Sequence, residues 1–294
     1  LVLDPKGDYV IPLLGGHSSG ADQHALELAA KIGGVAVITG ACAHDQRIPL
    51  DCFGEGWGWR RSGTVEAWRQ LMKDQANKKV LQIRQTSGPQ HWLKTSVQPR
   101  VDLVETGTCD LSIGPQQHSG CSWHPPTLWI GVGCERNTSK SLIHRAIGQS
   151  LNDAGFAIEA IAGLATADRK ADEPALLDLC HDYDWPLRTY KAEQLAVIPV
   201  PTPSEAVHKE MGTASVAEAA ALLTAGGSGT LRQSKRIHHA HESEQGAVTI
   251  AIAESAVPMA PHRGELHLIG SGPGDPALMS GDATSALRRC TAWV

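Results

Sequence analysis

The chain has 294 residues, 41% hydrophobic and 19% charged, with a net charge of −5. This length suits about two ordinary domains, and the composition is that of a core-forming protein, which excludes a disordered chain. The acidic balance excludes a bulk positive field for nucleic acid or an anionic membrane, so an anionic ligand must be met by local cations.

Residues 8–40 read as a β-loop-α-β unit. Tyr9 to Leu14 is a short apolar strand, and GGHSSG (15–20) is a turn. The following ADQHALELAAKIGG puts Ala21, Ala25, Leu28, Ala29 and Ile32 on one helical face and stops at Gly33-Gly34. VAVIT (35–39) has the apolar, β-branched make-up of a buried parallel strand. Residues 41–125 lose this periodicity while holding five of the eight tryptophans. They predict one amphipathic helix (64–77), strands at 79–85 and 110–115, and a linker, QQHSGCSWHPP (116–126), in an otherwise irregular region.

Alternation returns over 127–253. TLWIGVGC is a strand, and SKSLIHRAIGQSLNDAGF is a helix that Ser139 can cap. AIEAIAGLAT is ambiguous, and ADEPALLDLCHDYD is a helix with acids in its first turn. Helices near 204–211 and 215–225 and the strand VTIAIAE (248–254) complete the block. Strands alternating with helices predict an α/β fold: mainly parallel sheets with helices on both faces. A Pro-containing linker, SAVPMAPHRG (255–264), leads to GELHLIGSGPGDPALMSGDA, a strand, glycine turn and helix that open a further unit at 265–294. The domain plan is therefore 1–40, 41–125, 126–254, a linker and 265–294.

Seven irregularly spaced cysteines without a CxxC pair argue for reduced thiols in the cytoplasm, not for disulfides or a zinc site. No apolar run approaches the roughly 18 residues of a membrane span. The opening LVLDPKGDYVIPLL lacks both a signal peptide's basic region and a methionine, and reads as the interior of a longer chain.

Several strand-to-helix loops carry chemistry. In GGHSSGAD, Gly15 and Gly16 expose backbone N–H groups for a carboxylate or phosphate, and His17 is an acid, a base or a carboxylate partner, unless the glycines only permit a turn. GVGCERNTSK repeats the pattern with Gly131, Gly133, Cys134, Glu135, Arg136 and Lys140. Here Arg136 suits bidentate carboxylate binding, and Cys134 reads as a structural thiol more than a nucleophile. In ATADRKADEPALL, Lys170 can bind an anion, while Asp168, Asp172 and Glu173 read as capping acids. EMGTASVAEAAALL offers Gly212 and Thr213, with Ser215 and Glu218 forming a capping box. RIHHAHE could hold a metal but reads better as an exposed loop. In WGWRRSG, tryptophans beside Arg60 and Arg61 suit either a flat anionic ligand or a packed cluster.

In order and approximate spacing, TLWIGVGCERNTS, GLATADRKADEPALLDL, WPLRTYKAEQL, VPTPSEAVHKEMGTASVAEAAALL and AVTIAIAE resemble the C-terminal domain of the cobalt-precorrin-5A hydrolases of anaerobic cobalamin synthesis. VIPLLGGHSSGADQHALELAAKIGGVAVITG resembles the end of that family's N-terminal domain. The resemblance implies opening of a ring lactone on an anionic cobalt-tetrapyrrole substrate, with loss of acetaldehyde to give cobalt-precorrin-5B. It implies no cofactor for the hydrolase, because the cobalt belongs to the substrate, and no metal site. On this reading His17, Glu135 and Lys170 are catalytic, and Gly15, Gly16, Gly131, Gly133, Arg136, Lys140, Gly212 and Thr213 bind substrate. Residues 264–294 resemble the start of tetrapyrrole methylases, closest in context to precorrin-3B carbon-17 methyltransferase. S-adenosylmethionine would then meet Gly270, Gly272, Gly274 and Asp275 in a fusion with the hydrolase. Other corrin-pathway enzymes are conceivable partners; nucleic acid and membrane are not. The competing expectation is a non-catalytic corrinoid-binding or channelling module.

Overall fold

The computed structural model describes residues 1–13, 21–38, 46–93, 99–205 and 213–259. All of these fall within one compact unit, Leu1–Met259. Three sheets organise it. The first joins β1 (Val2–Leu3), β2 (Tyr9–Ile11) and β3 (Val35–Ala36), with β2 and β3 parallel. Helix α1 (Ala21–Ile32) packs on it through Ala25 and Ala29 beside Val10. Both strands are shorter than their apolar runs suggest.

The weak periodicity of 41–125 conceals most of a second, five-stranded sheet, of which the strands expected at 79–85 and 110–115 are two. Its strands are β4 (Arg60–Ser62), β5 (Leu81–Gln85), β6 (Val101–Leu103), β7 (Leu111–Ile113) and β8 (Cys121–His124), in the order β4-β8-β7-β5-β6. Four of the five lie parallel, and β4 runs antiparallel to β8. Helix α2 (Val65–Ala76) is capped by Thr64 and buries Trp68 and Leu71 against one sheet face. The stretch read as a linker (116–126) contains β8, whose four residues are all buried. It escapes pattern reading because strands of three or four residues are too short to show a period.

The third sheet has the order β11-β10-β9-β13-β12, from β9 (Leu128–Cys134), β10 (Ile161–Ala167), β11 (Leu187–Tyr190), β12 (Thr230–His239) and β13 (Ala247–Glu254). The first three are parallel, while β13 is antiparallel to both β9 and β12. The ambiguous AIEAIAGLAT resolves into a short 3-10 turn and β10. RIHHAHE lies largely on β12 rather than in a loop. The helix expected near 204–211 falls mostly outside the described residues, as does all of 260–294.

Alternation decides what covers this sheet. Leu128, Ile130 and Val132 on β9, with Val248, Ile250 and Ile252 on β13, face α3 (Lys140–Ala154) and α4 (Pro174–Tyr183) in the main core. The intervening positions are small apart from Trp129, which packs with Ala221 and Ala225. Against them lies α6 (Val216–Ala225), itself alanine-rich, with the short α5 (Ala192–Ala196) beside it. Helices thus cover both faces. A Cβ at Gly131 would stand 1.8 Å from the Ala217 carbonyl oxygen, whereas at Gly133 it would meet nothing closer than 3.8 Å. Packing alone therefore requires the first glycine and not the second. Gly131→Ala is expected to lower unfolding free energy by about 1–3 kcal/mol through overpacking, and Gly133→Ala to leave it nearly unchanged. Equal urea midpoints for the two variants would refute this account.

Candidate functional site at the carboxyl edge of the third sheet

Strands β9 and β10 end at Cys134 and Ala167, and the loops that follow them meet. At the centre is Glu173, 1% exposed, although it immediately precedes α4 and so reads as a capping acid. Its side chain makes no cap bond. One oxygen, Oε1, instead accepts the Asn137 N–H at 2.9 Å, which holds the left-handed turn of the β9 loop (φ +61°). The other, Oε2, stands 3.6 Å from the Arg136 guanidinium and 3.9 Å from the Lys170 ammonium. Arg136 also donates to Asp172 at 2.6 Å and to the Arg169 carbonyl. This hydrogen bond holds the Asp172 carboxyl below its ordinary range.

Two predicted cations, Arg136 and Lys170, are thus brought together. The third is not, because Lys140 pairs with Asp182 of α4 at 2.7 Å. Glu135 is exposed and donates its N–H to Ala247. Cys134 is partly buried, and burial pushes its thiol up to about 11, which keeps it protonated and favours the structural reading. Gly133 sits by the first turn of α6, near the Ala217 nitrogen. Thr213, 1% exposed, carries a hydroxyl without a partner among the described residues. Gly131 belongs to the helix contact above, so a substrate role is not needed to explain it. His17, Gly15, Gly16 and Gly212 lie outside the described residues, as do Gly270, Gly272, Gly274 and Asp275.

Other sequence candidates dissolve into structure. The Ser215 hydroxyl accepts the Glu218 N–H at 3.4 Å, but the Glu218 carboxylate does not return to Ser215. It binds Thr202 and the Lys235 N–H instead, so the capping box is only half made. Trp57 and Trp59 pack with Phe53, and Arg60 donates to the carbonyls of Glu159 and Ile161, so WGWRRSG is a packed cluster. His238 bonds to Ser150 and Gln149. Among the described residues no three His, Cys, Asp or Glu side chains could share a metal, and no helix is long and apolar enough to cross a membrane.

Two stability predictions arise from this edge. Glu173→Ala removes the acceptor of Asn137 and the shared counter-charge, and is expected to cost about 1–3 kcal/mol in urea unfolding. Asp172→Ala, at an exposed pair, is expected to cost less than Glu173→Ala; the reverse order would show that Glu173 is not the tie. Nearby, Glu244 accepts from Arg145 of α3 at 2.5 Å and from the His241 N–H at 3.0 Å, which draws its carboxyl down to about 2. A carboxyl whose folded pKa is depressed adds stability above its unfolded value and loses it as pH falls. The thermal-stability gap between wild type and Glu244→Gln is therefore expected to be full at pH 6 and to close between about pH 4.5 and 2. A gap unchanged over that window would count against the pair.

Comparison with known proteins supplies what the geometry does not. Residues 128–253 match the family model described as cobalamin synthesis G C-terminus, and residues 1–42 the one described as cobalamin synthesis G N-terminal. A protein named cobalt-precorrin-5A hydrolase from Priestia megaterium is 32% identical over 86% of this chain and 70% of its own. One of the same name from Salmonella typhimurium is 25% identical over 77% of this chain and 68% of its own. Among solved structures, CobE from the cobalamin (vitamin B12) biosynthetic pathway is 29% identical over 43% of this chain and 92% of its own, with a TM-score of 0.38.

Proposed function

The chain belongs to the cobalamin synthesis G family, and from that premise we propose that it is a hydrolase of cobalamin biosynthesis acting on cobalt-precorrin-5A. The observation that carries the reading is the likeness to the Priestia megaterium hydrolase, 32% identical over 86% of this chain. In the proposed reaction a ring lactone is opened and a two-carbon fragment leaves as acetaldehyde. The chemistry needs an activated oxygen nucleophile, stabilisation of the lactone oxyanion, and cations for the macrocycle's carboxylates.

The carboxyl edge supports the last of these. Arg136 and Lys170 converge there, and an Arg guanidinium suits a peripheral carboxylate. Glu135, exposed on the same loop, and His17 are the loop candidates for the base that activates water. The cobalt arrives with the substrate. Gly133 has room for close backbone approach, and Lys140 is held away on Asp182. We extend the proposal to 264–294 as the opening of an S-adenosylmethionine-dependent methylase of the precorrin-3B carbon-17 type, to be tested by methyl transfer from labelled S-adenosylmethionine in the fusion protein.

Anaerobic incubation with cobalt-precorrin-5A, followed by trapping of acetaldehyde and mass analysis of the corrinoid, tests the hydrolase reading. Stoichiometric acetaldehyde is expected. Tight corrinoid binding without acetaldehyde would assign the channelling-module reading instead. Arg136→Ala is expected to raise KM roughly tenfold, the cost of about 1.4 kcal/mol of carboxylate binding. An unchanged KM would remove Arg136 from the site.

A further inference from the structure

The second sheet carries a polar cluster that no loop motif announces. Strand β4 pairs with β8 so that Arg60 stands opposite His124, and Ser62 opposite Ser122. These four residues share the face away from the tryptophan core, because successive side chains of a strand alternate. His124 is fully buried, and its Nδ1 lies 2.7 Å from the Gly114 carbonyl oxygen. A carbonyl only accepts, so Nδ1 carries the proton and Nε2 presents its lone pair. The Ser62 hydroxyl lies 2.8 Å from Nε2 and must donate to it. Burial lowers the histidine's pKa among its ionisable neighbours Glu159, His118 and Arg60, so the ring is neutral near pH 7.

Two other histidine contacts lack this arrangement. The Gly120 N–H donates to His118 Nδ1 at 3.1 Å, so the His118 proton lies on Nε2, facing Cys109 Sγ at 3.6 Å, and cannot take the thiol's proton. Ser150, 3.2 Å from His238, is fully buried. Ser62 is only half-buried. After it the chain turns at Gly63 (φ +115°), where a Cβ would meet the Gly120 carbonyl oxygen at 2.9 Å. Thr64 then caps α2, and the Trp68 indole of that helix donates to the Ser62 carbonyl at 3.1 Å. Ser62 therefore ends β4 just before the cap of α2, which packs on the other face of the sheet. Across the ladder, the Ser122 hydroxyl is fully buried and has no partner among the described residues.

We propose that Ser62 and His124 are the nucleophile and general base of an acyl-transfer site that opens an ester carbonyl. The inference takes its substrate, a cyclic ester, from the function proposed above, and its reactivity from geometry alone. Ser62 Oγ bonds to the carbonyl carbon while its proton passes to His124 Nε2. On collapse the ring C–O bond breaks, and the departing alkoxide takes that proton. Water then adds to the acyl-serine carbonyl and gives a proton to His124, which returns it to Ser62 as the serine–acyl bond breaks. The sum is lactone plus water to hydroxy acid. Ser122, opposite Ser62 on the same face, is the polar side chain across the ladder from the nucleophile. The dyad replaces His17 and Glu135 as the source of the base.

A fluorophosphonate probe with the full chain tests the dyad directly. The expected result is one phosphonyl adduct, mapped by peptide mass to Ser62. Ser62→Thr keeps the hydroxyl bond to His124 and is expected to fold and to label at least 100-fold more slowly. His124→Gln, if its circular dichroism is native, is expected to label about 10²–10⁴-fold more slowly, the usual contribution of a positioned base. No adduct at Ser62 in folded wild type, or equal rates in all three proteins, would overturn the dyad. Turnover of cobalt-precorrin-5A separates this from the proposed function. Wild-type turnover that survives Ser62→Ala overturns the dyad and leaves the function standing. A labelled Ser62 without wild-type turnover overturns the function and supports the dyad.

Discussion

The close approach of α6 to β9 is the constraint on which the rest of the C-terminal half depends. Gly131 allows the Ala217 carbonyl to come nearer the strand than any side chain would permit. That proximity demands small residues at and beside Gly131, and the alternating strands LWIGVGC and VTIAIAE provide them on one face only, with Trp129 filling the end of the contact against Ala221 and Ala225. Their other face carries Leu, Ile and Val for α3 and α4. One face is thus packed by backbone proximity and the other by bulk. Shifting either strand by one residue would place branched side chains under α6, so the register is held from both sides. The loops at the carboxyl edge inherit their positions from this register.

Within that frame Glu173 does for the loops what Gly131 does for the layers. A nearly inaccessible carboxylate is tolerated only when paired and hydrogen-bonded. Glu173 meets both conditions by drawing the Asn137 N–H, Arg136 and Lys170 toward it from two loops. The same pairing tempers the ligand reading. A substrate carboxylate at Arg136 would have to share a guanidinium already engaged by Asp172, Glu173 and the Arg169 carbonyl. An Arg can serve several acceptors through its planar set of donors, so an outer carboxylate can be added without releasing Glu173.

How much of this was legible in the sequence follows from the range of each interaction. The β9 strand, α3, α4, α6 and β13 each carry a period long enough to read, and α2 carries one inside a region that otherwise has none. Of the second sheet only β5 and β7 were legible, as the strands expected at 79–85 and 110–115; the rest was not, because β4, β6 and β8 are brief and the order β4-β8-β7-β5-β6 joins segments far apart in the chain. Glu173 was misread for a related reason: acids before a helix normally cap it, and only the three-dimensional path brings Asn137 to its carboxylate. Ser62 and His124 are separated by 62 positions, and no spacing rule joins them. The Ser62-Gly63-Thr64 run between β4 and α2 carries no motif that marks it.

The two candidate centres cannot act on one carbonyl. The second sheet docks at the amino end of β10, where Arg60 reaches the Glu159 and Ile161 carbonyls, Ala157 donates to Pro115, and Gln117 donates to Gly155. Arg136 and Lys170 stand at the other end of the same strand. Seven residues at about 3.3 Å each put those ends roughly 20 Å apart, with the main core lying along the strand between them. A lactone held at Ser62 is beyond any contact with Arg136 that moves a proton or steadies an oxyanion. If the dyad carries the chemistry, the carboxyl edge is left with binding or with the structural work that Glu173 already explains. If the edge carries it, the carbonyl-fixed tautomer of His124 is the satisfied state of a buried core histidine. The two assignments make opposite demands on Ser62 and Arg136, so the sheet's own length makes them separable.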